Sequence, residues 1–319
     1  MQSFENILIY HAGAIGDTVL ATPVAAALHR HYPSAHMVQI SHHANLELLA
    51  LTGNLDSSYA CESASNWMEL RKFIAKLKPD LIVDLSDSTK SWLTTQFQNK
   101  ARLLCYKKQP WSNRTIMHAA DNFLATLEPL AIPRLPKLFP TLSIPSHLTQ
   151  IAKEKTAAAQ SIVACVAGVG RLRSHRVWGK SSWIELIQAL QKANKFPVLI
   201  GGSDDFEVCN EIAKAADALN LAGSLSLCET AAVLKLSELA VSCDTGPAHI
   251  AVAVGTPVVG MYGPTYAERS GPYGYLDRCI NVSSKCSCMQ LKSCAVTAQP
   301  GPGYCMEQIS VDDVLQKIL

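Results

Sequence analysis

The chain of 319 residues is poor in charge and lacks a charge of one sign. Lys and Arg number 28, Asp and Glu 26, for a formal net of +2. That balance excludes a nucleic-acid binder built on a basic surface. No run of about 18 apolar residues occurs, so nothing reads as a membrane span. Met1 to Asn6 is short and polar, and the apolar run after it ends in a glycine loop, not a cleavage site. No signal peptide is therefore expected, and the protein is expected in the cytoplasm. Short-period repeats and low-complexity tracts are missing. So is any Asp-x-Asp pair of the kind that holds a divalent metal, and any doubled Cys-x-x-Cys of a zinc ribbon. The first loop, Gly13-Ala14-Ile15-Gly16, lacks the full Gly-x-Gly-x-x-Gly fingerprint, and Glu47 is a poor match to the acid that follows it in dinucleotide oxidoreductases.

Apolar residues are plentiful, at 48% against 17% charged. This supports two sizeable cores in a chain long enough for two domains of about 150 residues each. Strand-like runs alternate with helix-like stretches, which predicts α/β layers with parallel sheets. In the first half the strands are Ile7–Tyr10, His36–Ile40, Leu81–Leu85 and Ala101–Tyr106. Helices cover Thr18–His31, Asn66–Leu77, Ser88–Phe97 and His118–Leu130, with the first either starting late at Thr22 or kinked by Pro23. Pro133, Pro136, Pro140 and Pro145 mark a linker. A second series follows, with strands Ser161–Ala167 and Pro197–Gly201 and helices Trp183–Asn194, Glu207–Ala216 and Glu229–Leu236. The expected division is residues 1–145 and 146–319, two Rossmann-like domains whose ligand lies at the C-terminal ends of the strands.

Late in the chain, the strand Leu239–Val241 runs into Asp244-Thr245-Gly246-Pro247-Ala248-His249, and a second strand, Pro257–Tyr262, ends in Gly263-Pro264-Thr265. Asp244 or Thr245 can cap a helix there, and Pro247 suits its first turn. The free N–H groups of such a start suit a diphosphate. At the other end of the chain, Asp17 follows Gly16 at the tip of the first strand-to-helix loop. It reads either as a helix cap or as a general base. Gly13 and Gly16 would permit close backbone approach.

Together these motifs resemble the bacterial heptosyltransferases, glycosyltransferase family 9. The similarity extends through Thr22-Pro23, Pro79-Asp80, Asp84, His118-Ala119-Ala120-Asp121, Arg176-Val177-Trp178, Gly201-Gly202-Ser203 and Leu221-Ala222-Gly223, in the family's order over essentially the whole chain. The resemblance implies a GT-B architecture, two Rossmann-like domains facing across a cleft, and inverting transfer of a heptose from ADP-L-glycero-D-manno-heptose to the lipopolysaccharide inner core. A different nucleotide sugar (UDP or GDP) or acceptor on the same fold is the alternative, and a non-catalytic nucleotide-binding protein on this scaffold is a further one. The family role of Asp17 is the base. Asp244 would hold sugar hydroxyls, while Thr245 and the Gly246 N–H would bind the diphosphate; His249 reads equally as a packed core histidine.

Three arginines beside glycines (Arg171, Arg173 and Arg176) suit a leaving diphosphate. The family usually carries Lys near the Arg176 position before an aromatic and Pro, whereas this chain has Arg176-Val177-Trp178-Gly179-Lys180. Either Arg176 or Lys180 could supply the charge, or the loop could be merely solvated. After Gly201-Gly202-Ser203, Asp204 is the candidate for the ribose, with Asp205 and Glu207 close by. Leu221-Ala222-Gly223 would wall the adenine by analogy. Asp84, Ser88, Lys90 and His118 resemble acceptor-side positions, and the basic bias from Arg71 to Arg114 suits a lipid A–Kdo acceptor or is plain surface. The implied partners are the ADP-heptose donor and that lipid, with peripheral contact at the inner face of the inner membrane and no nucleic acid. Neither metal nor cofactor is expected. Eleven cysteines are present; the scattered ones read as buried hydrophobes. Cys286, Cys288, Cys294 and Cys305 crowd into the tail, where reduced thiols, a disulfide or a structural metal all fit.

Overall fold

A computed structural model describes residues 3–61, 67–96, 101–109, 117–132, 138–286, 289, 294, 296 and 301–318. Arg114, Pro133, Pro136 and Cys288 lie outside them, as do the side chains of Arg171 and Arg173. The chain divides into two units, Met1–Ser143 and Ile144–Leu319.

The N-terminal unit contains β1 (Asn6–His11), α1 (Ile15–His31), β2 (His36–Ser41), α2 (Leu46–Ala50), β3 (Ser57–Ala60) and α3 (Trp67–Leu77). It continues with β4 (Leu81–Asp84), α4 (Thr89–Thr95), β5 (Arg102–Cys105) and α5 (Ala119–Ala125). All strand pairs are parallel, in the order β3-β2-β1-β4-β5. The interior strands are continuous apolar runs because both faces are covered: Ile7, Leu8, Ile9 and Tyr10 are buried, as are Leu81, Ile82 and Val83. The chain lays β2 and β3 on one side of β1, then returns to lay β4 and β5 on the other. The switch point therefore falls between β1 and β4, where such sheets open a crevice for ligands.

Helix α1 removes one of the two alternatives that the sequence left for its start. It begins at Ile15 and runs to His31 with Pro23 inside, so it does not start late at Thr22. Pro23 has no N–H for the Val19 carbonyl one turn back. The Thr22 hydroxyl donates to that carbonyl instead, at 2.8 Å, and the turn keeps its hydrogen bond.

The C-terminal unit opens with α6 (Ser146–Lys155), a helix absent from the sequence expectation that packs on the later helix Leu227–Leu236. Then come β6 (Ile162–Val166), α7 (Lys180–Lys192), β7 (Phe196–Ile200), α8 (Phe206–Ala216), β8 (Leu219–Asn220) and α9 (Leu227–Leu236). Next are β9 (Leu239–Cys243), α10 (Gly246–Ala253), β10 (Val258–Tyr262), α11 (Ala267–Ser270), β11 (Ile280–Asn281) and α12 (Val311–Ile318). This sheet is also parallel, ordered β11-β10-β9-β6-β7-β8, with its switch point between β6 and β9. Its core is built around Trp183, Leu186, Ile187, Leu199 and Val241. The tail enters that core: Cys305 and Met306 are buried, and Trp178 Nε1 donates to the Ile309 carbonyl at 2.9 Å. Among the described residues no helix is long and apolar enough to cross a membrane.

Candidate functional site

Chemistry-bearing residues gather at both switch points. In the N-terminal unit, the loop from β1 to α1 is held by a residue that the motifs do not flag. Asn45 Nδ2 donates to the Gly13 carbonyl at 3.0 Å and to the Thr18 hydroxyl at 2.8 Å, tying together the two sides of the Asp17 turn. The N-cap of α1 is Ala14, with no side-chain cap, so Asp17 lies inside the first turn and does not cap the helix. Its side chain is exposed, and an acid there also suits the helix dipole. Gly13 is required by close approach: a Cβ there would lie 2.6 Å from His11 Nε2. Gly16 is the second residue of α1.

At the end of β4, Asp84 is buried, and its carboxylate accepts from the Ser86 N–H (2.9 Å) and the Thr95 hydroxyl (3.3 Å). Burial pushes its carboxyl above the ordinary range, more than the hydrogen bonds from Ser86, Ser91 and Thr95 pull it down. Ser88 caps α4 in a reciprocal pair with Ser91. A cavity of about 410 Å³ lies here, with Asp84, Asp87, Ser88 and Trp92 on its wall. Two carboxylates on that wall contrast with the basic bias of the surrounding sequence. Lys90 is half-buried and its Nζ donates to Cys61 Sγ at 2.9 Å. His118 is buried as the cap of α5, its ring Nδ1 accepting from the Ala120 N–H at 3.2 Å.

In the C-terminal unit the loops after β6 and β9 meet. Arg176, from the first, pairs with Asp244, from the second, at 2.8 Å across the switch point, and both side chains are mostly buried. Asp244 is thus the partner of an arginine and not the helix cap. Thr245 is the N-cap of α10 by backbone alone, without a side-chain cap, and Gly246 and Pro247 open the helix. Pro247 has no N–H and the Ala248 N–H returns to the Thr245 carbonyl at 3.2 Å, so the Gly246 N–H is the donor that the helix start presents without an intrahelical acceptor. His249 is buried within α10.

Beside this pair, a cavity of about 560 Å³ sits over the ends of β6 and β7, and Lys180, Asp204, Asp205 and Glu207 reach its wall. The two adjacent aspartates differ in role. Asp205 accepts from the Gly170 N–H and the Gly202 N–H, each at 3.0 Å, and thereby joins the loop after β6 to the loop after β7. A Cβ on Gly168 would fall 2.0 Å from the Asp205 carboxyl carbon, so only glycine fits against it. Asp204 stays exposed on the cavity wall. Lys180 opens α7 and is ion-paired with Glu211 of α8.

The backbone of Leu221-Ala222-Gly223 is already committed. These N–H groups donate to the Leu199 carbonyl (2.9 Å), Asn220 Oδ1 (2.9 Å) and the Gly201 carbonyl (3.0 Å). Any adenine wall there would therefore rest on carbonyls and apolar surface. In the tail, Cys286, Cys294 and Cys305 are free thiols. Burial raises the Cys165, Cys243 and Cys279 thiols to about 12. Among the described residues no cluster of three His, Cys, Asp or Glu side chains could hold a metal ion.

Comparison with known proteins agrees with this fold. The family model described as Glycosyltransferase family 9 (heptosyltransferase) matches residues 67–298. Lipopolysaccharide heptosyltransferase 3 of Escherichia coli is 24% identical over 275 residues, covering 78% of this chain and 81% of that protein. The lipopolysaccharide core heptosyltransferase OpsX of Haemophilus influenzae is 23% identical over 302 residues, covering 87% and 84%. Among solved structures, the E. coli ADP-heptose lps heptosyltransferase II superposes with a TM-score of 0.80 at 17% identity, covering 98% of this chain and 97% of that one. E. coli heptosyltransferase WaaC with ADP gives 0.68 at 18% identity, with 98% of both chains covered. These two likenesses establish the shared fold.

Proposed function

The chain belongs to glycosyltransferase family 9, and from that membership we propose that it moves a heptose from ADP-L-glycero-D-manno-heptose to the inner core of lipopolysaccharide. The C-terminal unit takes the donor and the N-terminal unit the acceptor. The observation that carries the donor half is the pairing of Arg176 with Asp244 beside the start of α10. A cation, a mostly buried carboxylate and the Gly246 N–H at a helix start meet there at a switch point, a combination that suits a sugar diphosphate.

The chemistry follows from the residues. Transfer with inversion is a single displacement. The acceptor hydroxyl oxygen attacks the anomeric carbon while the bond to the diphosphate oxygen breaks. Asp17, exposed at the first turn of α1, takes the hydroxyl proton. Negative charge grows on the leaving diphosphate, where Arg176 and the Gly246 N–H at the positive end of α10 stabilise it, with Thr245 donating its hydroxyl. Asp244 orients the guanidinium and accepts from sugar hydroxyls. Asp204 and Lys180 hold the nucleoside end at the larger cavity, and Gly13 and Gly16 keep the base loop close-fitting. His249 supports the donor helix from within. Lys90 and His118 lie on the acceptor side. The lipid acceptor puts the reaction at the inner face of the inner membrane.

A thermal-shift panel with ADP, UDP, GDP and NAD tests the donor assignment, with Asp244→Ala as control. Ligand at about a hundred times its dissociation constant adds roughly 2.7 kcal/mol, several degrees in a chain of this size. A shift with ADP that the control loses supports the proposal. A shift with UDP or GDP instead keeps the fold and removes the heptose donor.

A further inference from the structure

His11 ends β1 directly under the loop that presents Asp17, and nothing said so far uses it. The ring is 3% exposed. Its Nδ1 lies 3.3 Å from the Leu85 carbonyl oxygen, across the switch point between β1 and β4. A carbonyl can only accept, so in the neutral ring Nδ1 carries the hydrogen and Nε2 presents a lone pair. That Nε2 is buried and makes no hydrogen bond of normal geometry among the described residues. It faces the base loop: a Cβ built on Gly13 would lie 2.6 Å from Nε2 and 3.2 Å from the Cβ of Asp17. Phe123 of α5 stands edge-on to the ring at 5.3 Å and 72°, which fixes the imidazole plane.

We propose that His11 is the positioning residue of the base, its Nε2 accepting a hydrogen bond from the Asp17 carboxyl once that group has taken the acceptor's proton. The inference rests on Asp17 acting as the base. The acceptor O–H bond breaks as a bond to Asp17 forms. The oxygen's electron pair makes the new bond to the anomeric carbon, and the diphosphate leaves with the old one. The proton then lies in the hydrogen bond between the Asp17 carboxyl and the Nε2 lone pair, so the carboxyl is held in one rotamer while transfer completes. A neutral ring is required for this. Burial pushes the imidazole below its ordinary 6.5, against the opposing pull of the Asp17 charge, the Leu85 carbonyl and the Asp17 backbone. Asp17 from α1, the Leu85 carbonyl beyond β4 and the Phe123 ring of α5 are the groups that face it.

Two substitutions and one spectrum test it. His11→Asn keeps a donor for the Leu85 carbonyl and removes the acceptor at Nε2; His11→Gln can put an amide oxygen near the Nε2 position. His11→Asn should lower kcat about tenfold or more with both KM values nearly unchanged, and His11→Gln should recover part of that loss. A purely structural role would lower thermal stability and leave kcat per folded enzyme alone, which would overturn the proposal. Independently of any assay, ¹⁵N-detected NMR should find the Nδ1–H tautomer in the wild type. Its titration midpoint should lie below 6.5 and fall further in Asp17→Asn. A midpoint unmoved by Asp17→Asn would refute the contact. If the wild type transfers no heptose, the donor reading fails while the NMR result still decides whether Asp17 and His11 are coupled.

Discussion

Replacing Asp205 and Asp204 separately by Asn should split two neighbouring carboxylates into a structural and a binding role. Asp205 accepts one backbone N–H with each oxygen, from Gly170 and from Gly202. Asn keeps one acceptor and turns an NH₂ toward the other amide, so one charge-assisted bond is lost. Hydrogen bonds to charged groups contribute about 1.5–3 kcal/mol. Asp205 is only half-buried, so the expected loss is nearer 1–2 kcal/mol. At roughly 2–4 °C per kcal/mol for a unit of this size, Tm should fall by about 2–8 °C. Asp204→Asn, on an exposed carboxylate at the cavity wall, should leave Tm within about 1 °C and weaken ADP binding. Calorimetry gives the first quantity and isothermal titration with ADP the second. Equal Tm values for the two variants, with equal loss of ADP affinity, would refute the division of labour.

The Thr22 hydroxyl is expected to contribute about 1 kcal/mol by occupying the carbonyl that Pro23 cannot serve; urea unfolding of Thr22→Val measures it. Gly13→Ala should destabilise by about 1–3 kcal/mol through its clash with His11, and His11→Ala in the same chain should relieve most of that loss. Asp84 has its pKa raised by burial, so folding favours its protonated form and stability drains away as pH rises through the carboxylate range. Asp84→Asn should therefore be the more stable protein at pH 7, and its advantage should shrink on acidification in pH-dependent melts. Native maleimide labelling followed by mass spectrometry should spare the buried Cys165 and Cys243, whose thiols lie near 12, and label both once the chain is unfolded.

Much of the fold was legible because interior parallel strands are apolar from end to end. Ile7–Tyr10 and Leu239–Val241 announce themselves for that reason, and each proved one or two residues longer at the ends. Edge strands do not announce themselves. Ser57–Ala60 is polar because solvent covers one side of it, and Leu219–Asn220 and Ile280–Asn281 are too short to form a pattern. Helix α6 was hidden by Pro145, which reads as linker yet stands at the N-cap. The candidate residues were legible as types and not as pairs. Arg176 and Asp244 stand 68 positions apart, and only the topology of the sheet brings β6 next to β9. Asp204 and Asp205 are indistinguishable by spacing, because what separates them is which backbone amides each one faces. His11 and Asn45 went unnoticed for a plainer reason. One closes an apolar strand and the other precedes a short helix, and neither sits in a motif.

The central claim is most directly tested by incubating the full chain with ADP-L-glycero-D-manno-heptose and a Kdo-bearing lipid A, then following ADP release and the mass of the lipid together. The account predicts acceptor-dependent ADP release matched by the gain of one heptose with inverted anomeric configuration, abolished in Asp17→Asn. Retained configuration, or undiminished transfer in Asp17→Asn, would contradict the mechanism; no transfer from this donor alongside transfer from a UDP- or GDP-sugar would contradict the heptose assignment itself.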